Sequence, residues 1–148
     1  MRRVGSFVLA LALQGGVAVA ADAPPAVGGL WLTQDKGGVI RIGPCDGGLC
    51  GWIVGVVVAP GKPPPTDVHD QPLCGLKLIE RLRPSGSNVW QGDITNPHDG
   101  RTYDARLTTD QPGQLRLRGY ALVPLFGSTQ IWTRYKGTVT PDCRMVRG

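Results

Sequence analysis

Glutamate is almost absent from this chain, in which Glu80 stands alone against ten aspartates among 148 residues. Glutamate is a strong helix former, whereas the 22 glycines and 13 prolines that the chain does contain favour turns. The composition therefore argues against helices and predicts short strands joined by turns.

Long apolar runs and a strong charge are missing too. No stretch beyond residue 20 has the ~20 apolar residues that cross a bilayer, so we expect no transmembrane segment there. The net charge is +5, and it falls by two, to +3, without Arg2 and Arg3. Such a small surplus gives no electrostatic footprint for nucleic acid, which we do not expect as a partner.

Catalytic motifs are missing as well, since the chain has no glycine-rich phosphate loop and no G-x-S-x-G. His69, between Asp67 and Asp70, admits a nucleophile pair or a metal site with Cys74, but also a polar loop beside a disulfide. We favour the polar loop, and we interpret His98 as an exposed turn residue. The sequence thus predicts no catalytic residue, no metal and no cofactor, and a protein that is not an enzyme.

What the N-terminus does contain is an export pattern. Two arginines precede an apolar run over 4–13, and small residues follow as far as Ala18-Val19-Ala20. A basic start, an apolar segment of about ten residues and an A-x-A site are typical of a secretory signal peptide. We therefore expect a periplasmic or secreted protein that is cleaved near Ala20; a retained N-terminal anchor is the alternative.

The chain then divides into three parts by its composition. We predict a signal peptide over 1–20, a flexible tail over 21–28 and a single domain over 29–148. The 128 residues that remain after cleavage are the size of one domain.

Cysteines are few but even in number: Cys45, Cys50, Cys74 and Cys143 all follow the predicted cleavage site. An even count in an oxidising compartment predicts disulfides, and three pairings are possible. A bridge between Cys45 and Cys50 across a hairpin is the simplest choice, and it leaves Cys74 for Cys143. Neither the C-x-x-C redox motif nor the close spacing of a zinc site is present.

Short strand signals recur along the domain, with turn residues between them. We predict strands over 30–33, 39–42, 49–59, 78–83, 89–95, 102–109, 115–120 and 129–135, with brief pairing at Val139. The segment 49–59 is apolar at nearly every position, so it is either buried on both faces or lies at a contact surface. The predicted fold is all-β, a small antiparallel up-and-down barrel of about eight strands, because closure brings the apolar faces together and removes edges. A β-sandwich of two sheets is the alternative.

Motifs spread over 29–134 are similar, in order and spacing, to the bacterial exported family called domain of unknown function 2147 (DUF2147). They include Gly29-Leu30-Trp31-Leu32, Pro44-Cys45, Leu49-Cys50-Gly51-Trp52, Pro97-His98-Asp99-Gly100, Leu115-Arg116-Leu117-Arg118-Gly119-Tyr120 and Gln130-Ile131-Trp132-Thr133-Arg134. The loop at 60–71 departs from the family, which usually has a longer stretch and a short helix there. Because the family has no established activity, the resemblance implies no catalytic residues.

A second resemblance reaches further. Gly29-Leu30-Trp31 resembles the G-x-W motif of lipocalin-like (calycin-like) barrels, in which an arginine near the last strand covers the tryptophan at the closed end. The resemblance implies that Trp31 and Arg134 form this structural closed-end pair, through a cation–π contact and hydrogen bonds to nearby carbonyls.

Aromatic side chains are candidates for a binding site inside such a barrel, and we expect Trp90, Tyr103, Tyr120 and Phe126 near the cavity. The apolar stretch 120–127 either rims the open mouth, where it meets an apolar ligand or a partner, or folds inward as a plug, which we favour. The alternating arginines Arg81, Arg83, Arg116 and Arg118 form a solvated outer face or, alternatively, an anion-binding strip.

These features indicate a periplasmic binding module for a small apolar or amphipathic molecule. The alternative is a structural or protein-interaction domain of the cell envelope, which meets an envelope protein through an exposed strand or the loop 122–126. The sequence leaves the ligand, the hollow or packed state of the barrel and the oligomeric state open.

Overall fold

The computed structural model describes residues 25–121 and 127–146, and within them the chain forms ten strands. The strands are β1 (Gly29–Leu32), β2 (Gly38–Cys45), β3 (Gly48–Val56), β4 (Lys77–Gly86), β5 (Val89–Thr95), β6 (Thr102–Thr108), β7 (Gln114–Tyr120), β8 (Gly127–Arg134), β9 (Thr138–Val139) and β10 (Met145–Val146). No helix in this part of the chain has the length and apolarity that a membrane crossing requires.

The first eight strands close into an antiparallel barrel in which each strand pairs with the next along the chain. Closure occurs between β1 and β8, where Trp31 is in register with Arg134 and Leu32 with Thr133. The prediction of an eight-stranded up-and-down barrel is therefore confirmed, and the two-sheet sandwich is excluded.

Alternate residues of each strand point into the barrel, as the two-residue period of a strand dictates. In β7, Leu115 and Leu117 are buried whereas Arg116 is exposed, and β6 alternates in the same way around Ala105 and Leu107. The inward residues form one apolar core cluster with the tryptophans of β1, β5 and β8. The alternation seen in the sequence thus assigns the faces of these strands correctly.

Near its end, β3 is covered on its outer face as well as its inner one. Gly55 is in register with Val39, which is fully buried, and a Cβ at Gly55 would lie only 2.8 Å from Cγ of Met145. The two-stranded sheet of β9 and β10 therefore packs closely over β3, and only a glycine fits at this contact. This covering explains why the segment is apolar on both faces, although β3 ends at Val56 rather than at residue 59.

Both disulfides follow the simplest pairing. Cys45 and Cys50 join the strands of the β2–β3 hairpin, whereas Cys74 and Cys143 join the β3–β4 loop to the segment between β9 and β10. The second bond lies beside the covering sheet, where the backbone N–H of Val56 donates to the Cys143 carbonyl at 2.9 Å. No cysteine of the described residues is free.

Candidate ligand-binding cavity

Strands β1, β3, β5 and β7 end at the same end of the barrel, which we call the mouth. A cavity of about 790 Å³ opens there. This volume is within the range of roughly 300–1,000 Å³ that is usual for small-molecule sites. The opposite, closed end holds the start of β1 and the end of β8.

The wall of the cavity is mainly apolar and comes from strands all around the barrel. Its large apolar side chains are Ile40, Ile53, Leu78, Ile94, Leu117 and Trp132. Pro65 and Leu73 of the β3–β4 loop extend the apolar surface at the mouth. Such a wall favours binding of a molecule with a large apolar part, because binding removes the apolar surfaces of the wall and of the ligand from water.

The barrel is hollow at this level because two inward positions hold small residues. Ala105 of β6 is in register with Gly119 of β7, whereas the next inward pair towards the closed end is Leu107 and Leu117. A Cβ placed at Gly119 would have only Cγ2 of Ile94 near it, at an ordinary contact distance of 3.7 Å. The small pair therefore leaves space above a floor of leucines.

A carboxylate lies at the mouth, in the turn between β1 and β2. Asp35 accepts hydrogen bonds from the Thr33 hydroxyl at 2.7 Å and from the Gly37 backbone N–H at 3.0 Å. These bonds lower the pKa of Asp35, with a smaller contribution from the nearby charge of His98. The side chains of Asp35 and His98 both line the cavity, so its rim is polar. The Asp35 carboxylate gives this rim a negative charge near neutral pH.

A second polar contact ties Tyr103 of the cavity wall to the β5–β6 turn. The Tyr103 hydroxyl donates to Oδ2 of Asp99 at 2.7 Å, and the backbone N–H of Arg101 donates to Oδ1 at 2.8 Å. The Arg101 N–H and then the Tyr103 hydroxyl lower the pKa of Asp99, and the Asp99 carboxylate in turn raises the pKa of Tyr103. Gly100, with φ of 71°, supplies the left-handed residue of this turn.

The four aromatic residues predicted near the cavity have different positions. Tyr103 and Tyr120 line it. Trp90 is buried in the core and is not among the residues that line the cavity. The reason is the direction of β5: the strand starts at the closed end, so Trp90 lies low in the barrel and Ile94 reaches the cavity instead. Phe126 and the loop 122–126 lie outside the described residues.

At the closed end, the structure brings Trp31 and Arg134 together. Cζ of Arg134 lies 3.9 Å from the centroid of the Trp31 ring, and the guanidinium donates to the carbonyls of Gly28 and Ala26. The Trp31 indole N–H donates to the Val27 carbonyl at 2.8 Å. Gly29 adopts φ of 105° beside the guanidinium, where a side chain would collide with it. Together these groups seal the barrel opposite the mouth.

The potentially reactive residues of the β3–β4 loop have structural contacts. Asp67 accepts backbone N–H bonds from His69 and Gln71, both at 2.8 Å, and the imidazole of His69 lies against Gly100. Cys74 is disulfide-bonded, so it supplies no thiolate. Within residues 25–121 and 127–146, no three His, Cys, Asp or Glu side chains are grouped so as to hold a metal ion.

Sequence reasoning missed several lining residues, of which Asp35, Ile94, Gly119 and Trp132 matter most. For Ile94, Gly119 and Trp132, the sequence contained a signal that could have identified them. In a meander, successive strands run in opposite directions, so the height of an inward residue follows from its place in its strand. Asp35 carried no such signal, because in the sequence it is one turn residue among many.

Among solved structures, the barrel is similar to protein HP1028 from Helicobacter pylori, which is described as belonging to the lipocalin family. The two chains are 20% identical, with a TM-score of 0.62, over 73% of this chain and 82% of the other. At this identity the similarity concerns the fold alone. A comparison with curated proteins finds no match.

The comparison with protein families agrees with the resemblance noted in the sequence. The family described as an uncharacterized protein conserved in bacteria (DUF2147) matches residues 29–134. This span runs from the first residue of β1 to the last residue of β8, and thus covers the whole barrel. The chain belongs to the bacterial DUF2147 family, whose domain is here a lipocalin-like barrel with a cavity at its mouth.

Proposed function

We propose that this protein is an exported binding protein whose barrel holds a small apolar or amphipathic molecule. The observation that carries the proposal is the hollow of about 790 Å³ above the leucine floor, with an apolar wall and one open end. A barrel that served only as a scaffold gains stability from a filled interior, because an empty apolar cavity loses packing contacts.

The arrangement of polar groups supports an amphipathic ligand. Polar and charged groups of the wall, such as Asp35, His98 and Gln130, lie alongside the apolar side chains. Asp35 and His98 belong to mouth loops, so an apolar tail fits towards the closed end while a polar head stays near water. The proposal includes no catalytic step.

Export is part of the same proposal. Two disulfides are typical of an extracytoplasmic protein, and the family is bacterial. A periplasmic or secreted location after cleavage near Ala20 agrees with the basic and apolar pattern of residues 2–20. Mass spectrometry of the protein from the native envelope, first under native and then under denaturing conditions, measures the cleavage site and any bound molecule together.

Gly119→Leu tests the cavity directly. The added side chain occupies the hollow without steric conflict at its Cβ, since the nearest atom lies 3.7 Å away. We expect the affinity for the neutral probe N-phenyl-1-naphthylamine to fall by at least about tenfold, because the leucine side chain fills part of the space that the probe would occupy. Fluorescence titration of the purified protein measures the change.

Gly86→Leu is the matched control. Gly86 also has an ordinary φ and room for a Cβ, with the nearest atom at 3.8 Å, but it is the last residue of β4, at the closed end. Its affinity for the probe should stay within about twofold of wild type, since no cavity contact changes. Equal affinities in wild type and Gly119→Leu, or no binding by the wild type, would refute the cavity as the binding site.

A further inference from the structure

The charged side chains that line the cavity differ in sign from the protein as a whole. The chain has 16 Lys and Arg residues against 11 Asp and Glu, yet none of the described residues of the lining is a lysine or an arginine. Asp35 is the acidic residue of this lining, and His98 is the basic one. Because an imidazole carries little charge at or above neutral pH, the carboxylate determines the sign of the charge that a ligand meets there.

The loops around the mouth are not basic either. The β1–β2 turn, the β3–β4 loop and the β5–β6 turn bring four aspartates to this end of the barrel, namely Asp35, Asp67, Asp70 and Asp99. Besides the two histidines, the basic residues of these loops are Lys36, Lys62 and Arg101, and none of these three lines the cavity. The sequence between β7 and β8, 121–126, contains no charged residue. The surroundings of the mouth therefore do not reverse the negative charge of its rim.

The turn around Asp35 fixes its carboxylate and leaves part of it for a ligand. The Thr33 hydroxyl and the Gly37 backbone N–H both donate to Oδ1, at 2.7 and 3.0 Å, so Oδ2 keeps the capacity to accept a further hydrogen bond. Within the described residues, no cationic side chain forms an ion pair with Asp35, whereas Asp93 and Asp110 each have an arginine partner. A donor with a positive charge would complete the contacts of this carboxylate.

We propose that the cavity selects amphipathic molecules whose head group is a cation, such as a primary ammonium group, and that Asp35 binds this head group. The inference rests on the proposed function, since it concerns the same cavity and names the chemical class of its ligand. An ammonium group donates hydrogen bonds and carries the opposite charge, so its contact with Asp35 is a charge-assisted hydrogen bond. The rest of the molecule lies against the apolar wall.

The same geometry disfavours the carboxylate head group of a fatty acid. No described Lys or Arg of the lining is there to pair with it, and Asp35 repels it. A neutral head group avoids the repulsion but gains no ion pair. For chains of equal length, the expected order of affinity is therefore cation, neutral molecule, anion.

Displacement of N-phenyl-1-naphthylamine by decylammonium, decanol and decanoate tests this order with one chain length. In low salt at about pH 8, where imidazoles carry little charge, decylammonium should displace the probe at an about fivefold lower concentration than decanol. Decanoate should require a higher concentration than decanol. High salt should reduce these differences, because it screens an ion pair at the rim. Since the net charge of the chain is +5, non-specific attraction would give the opposite order.

Asp35→Asn removes the charge but keeps an oxygen that accepts from Thr33 and Gly37, so the turn is retained. Its affinity for decylammonium should fall about fivefold, whereas its affinity for decanol should stay within about twofold of wild type. Asp46→Asn is the matched control, because Asp46 is an exposed residue of the β2–β3 hairpin turn, at the closed end. All three affinities of this control should stay within about twofold of wild type.

The results distinguish this inference from the proposed function. Equal affinities of the wild type for the three molecules, tightest binding of decanoate, or equal losses of decylammonium binding in Asp35→Asn and Asp46→Asn overturn the cationic class, although the cavity binds. If none of the three displaces the probe, the cavity is not the binding site and both proposals fail. Circular dichroism verifies the fold of each variant. The order of affinities in the wild type and its dependence on salt decide the matter if Asp35→Asn does not fold.

Discussion

At the residue scale, Arg134 has three contacts that fix the closed end. Its guanidinium stacks on Trp31 and donates to two carbonyls of the segment before β1. Partial burial lowers the pKa of this arginine. The guanidinium nevertheless keeps its proton and its charge. Since β1 and β8 close the barrel here, one side chain connects the first strand, the last strand and the chain that leads into the barrel.

Arg134→Ala should therefore lower the free energy of unfolding by about 2–4 kcal/mol, through loss of the cation–π contact and of two charged hydrogen bonds. Arg134→Lys should recover only part, because an ammonium group cannot stack and bridge two carbonyls together. Urea unfolding followed by tryptophan fluorescence measures both. Arg144→Ala, at an exposed site, should change stability by less than about 0.5 kcal/mol, and a similar loss there would contradict the special role of Arg134.

The Asp99–Tyr103 pair gives a pH-dependent prediction. Asp99 has a lowered pKa in the folded protein, so its stabilising bonds are present above its ordinary pKa of 3.8 and weaken as the pH falls below that value. The stability difference between wild type and Asp99→Asn should therefore shrink in acid below 3.8. In the same variant Tyr103 should ionise at a lower pH than in wild type, since the carboxylate that raises its pKa is gone. Ultraviolet titration of the phenolate measures this; identical Tyr103 titrations would contradict the contact.

At the scale of elements, the C-terminal segment buries the outer face of β3 near the end of that strand. The sheet of β9 and β10 covers Gly55, and the Cys74–Cys143 bond holds this cover to the β3–β4 loop that borders the mouth. The cover therefore has two attachments, one by packing and one covalent.

The two disulfides should differ in their contribution because they close loops of different length. Cys74 and Cys143 are 69 residues apart, whereas Cys45 and Cys50 are separated by 5. Chain entropy then predicts a loss of about 4 kcal/mol for the paired Cys74→Ser and Cys143→Ser, and about 2 kcal/mol for the paired Cys45→Ser and Cys50→Ser. Chemical unfolding of both variants measures the ratio, and a larger loss for the short loop would contradict this account.

Element patterns were predictable from the sequence where they depend on local chemistry. The alternation of Leu115 and Leu117 with Arg116 assigns the faces of β7, and Asp99-Gly100 is typical of the tight turn that joins β5 to β6. The position of an inward residue between mouth and closed end depends on strand direction, and in β5 it places Ile94, rather than Trp90, among the lining residues. Contacts between distant segments, such as Met145 over Gly55, leave no local pattern, because nothing in the sequence near Gly55 indicates which segment will cover it.

At the scale of the whole molecule, the barrel followed from eight strand signals with one apolar face each, but its hollow interior did not. The hollow depends on Ala105 and Gly119 meeting in register, a coincidence between two strands that neither strand shows alone. Arg106 and Arg118 likewise become neighbours only through pairing. Such arrangements arise from register, which single-strand patterns do not determine.

Closure of the barrel also determines where this protein can be attached to something else. The chain enters β1 at the closed end, whereas the segment after β8 runs along the outside and brings Cys143 beside Val56, at the end of β3 near the mouth. A tether on the side that precedes Gly29 would hold the barrel with its opening directed away from the support. A bulky label on the turn that holds Cys143 and Arg144 beside Val56 would instead lie next to the opening and compete with whatever enters it.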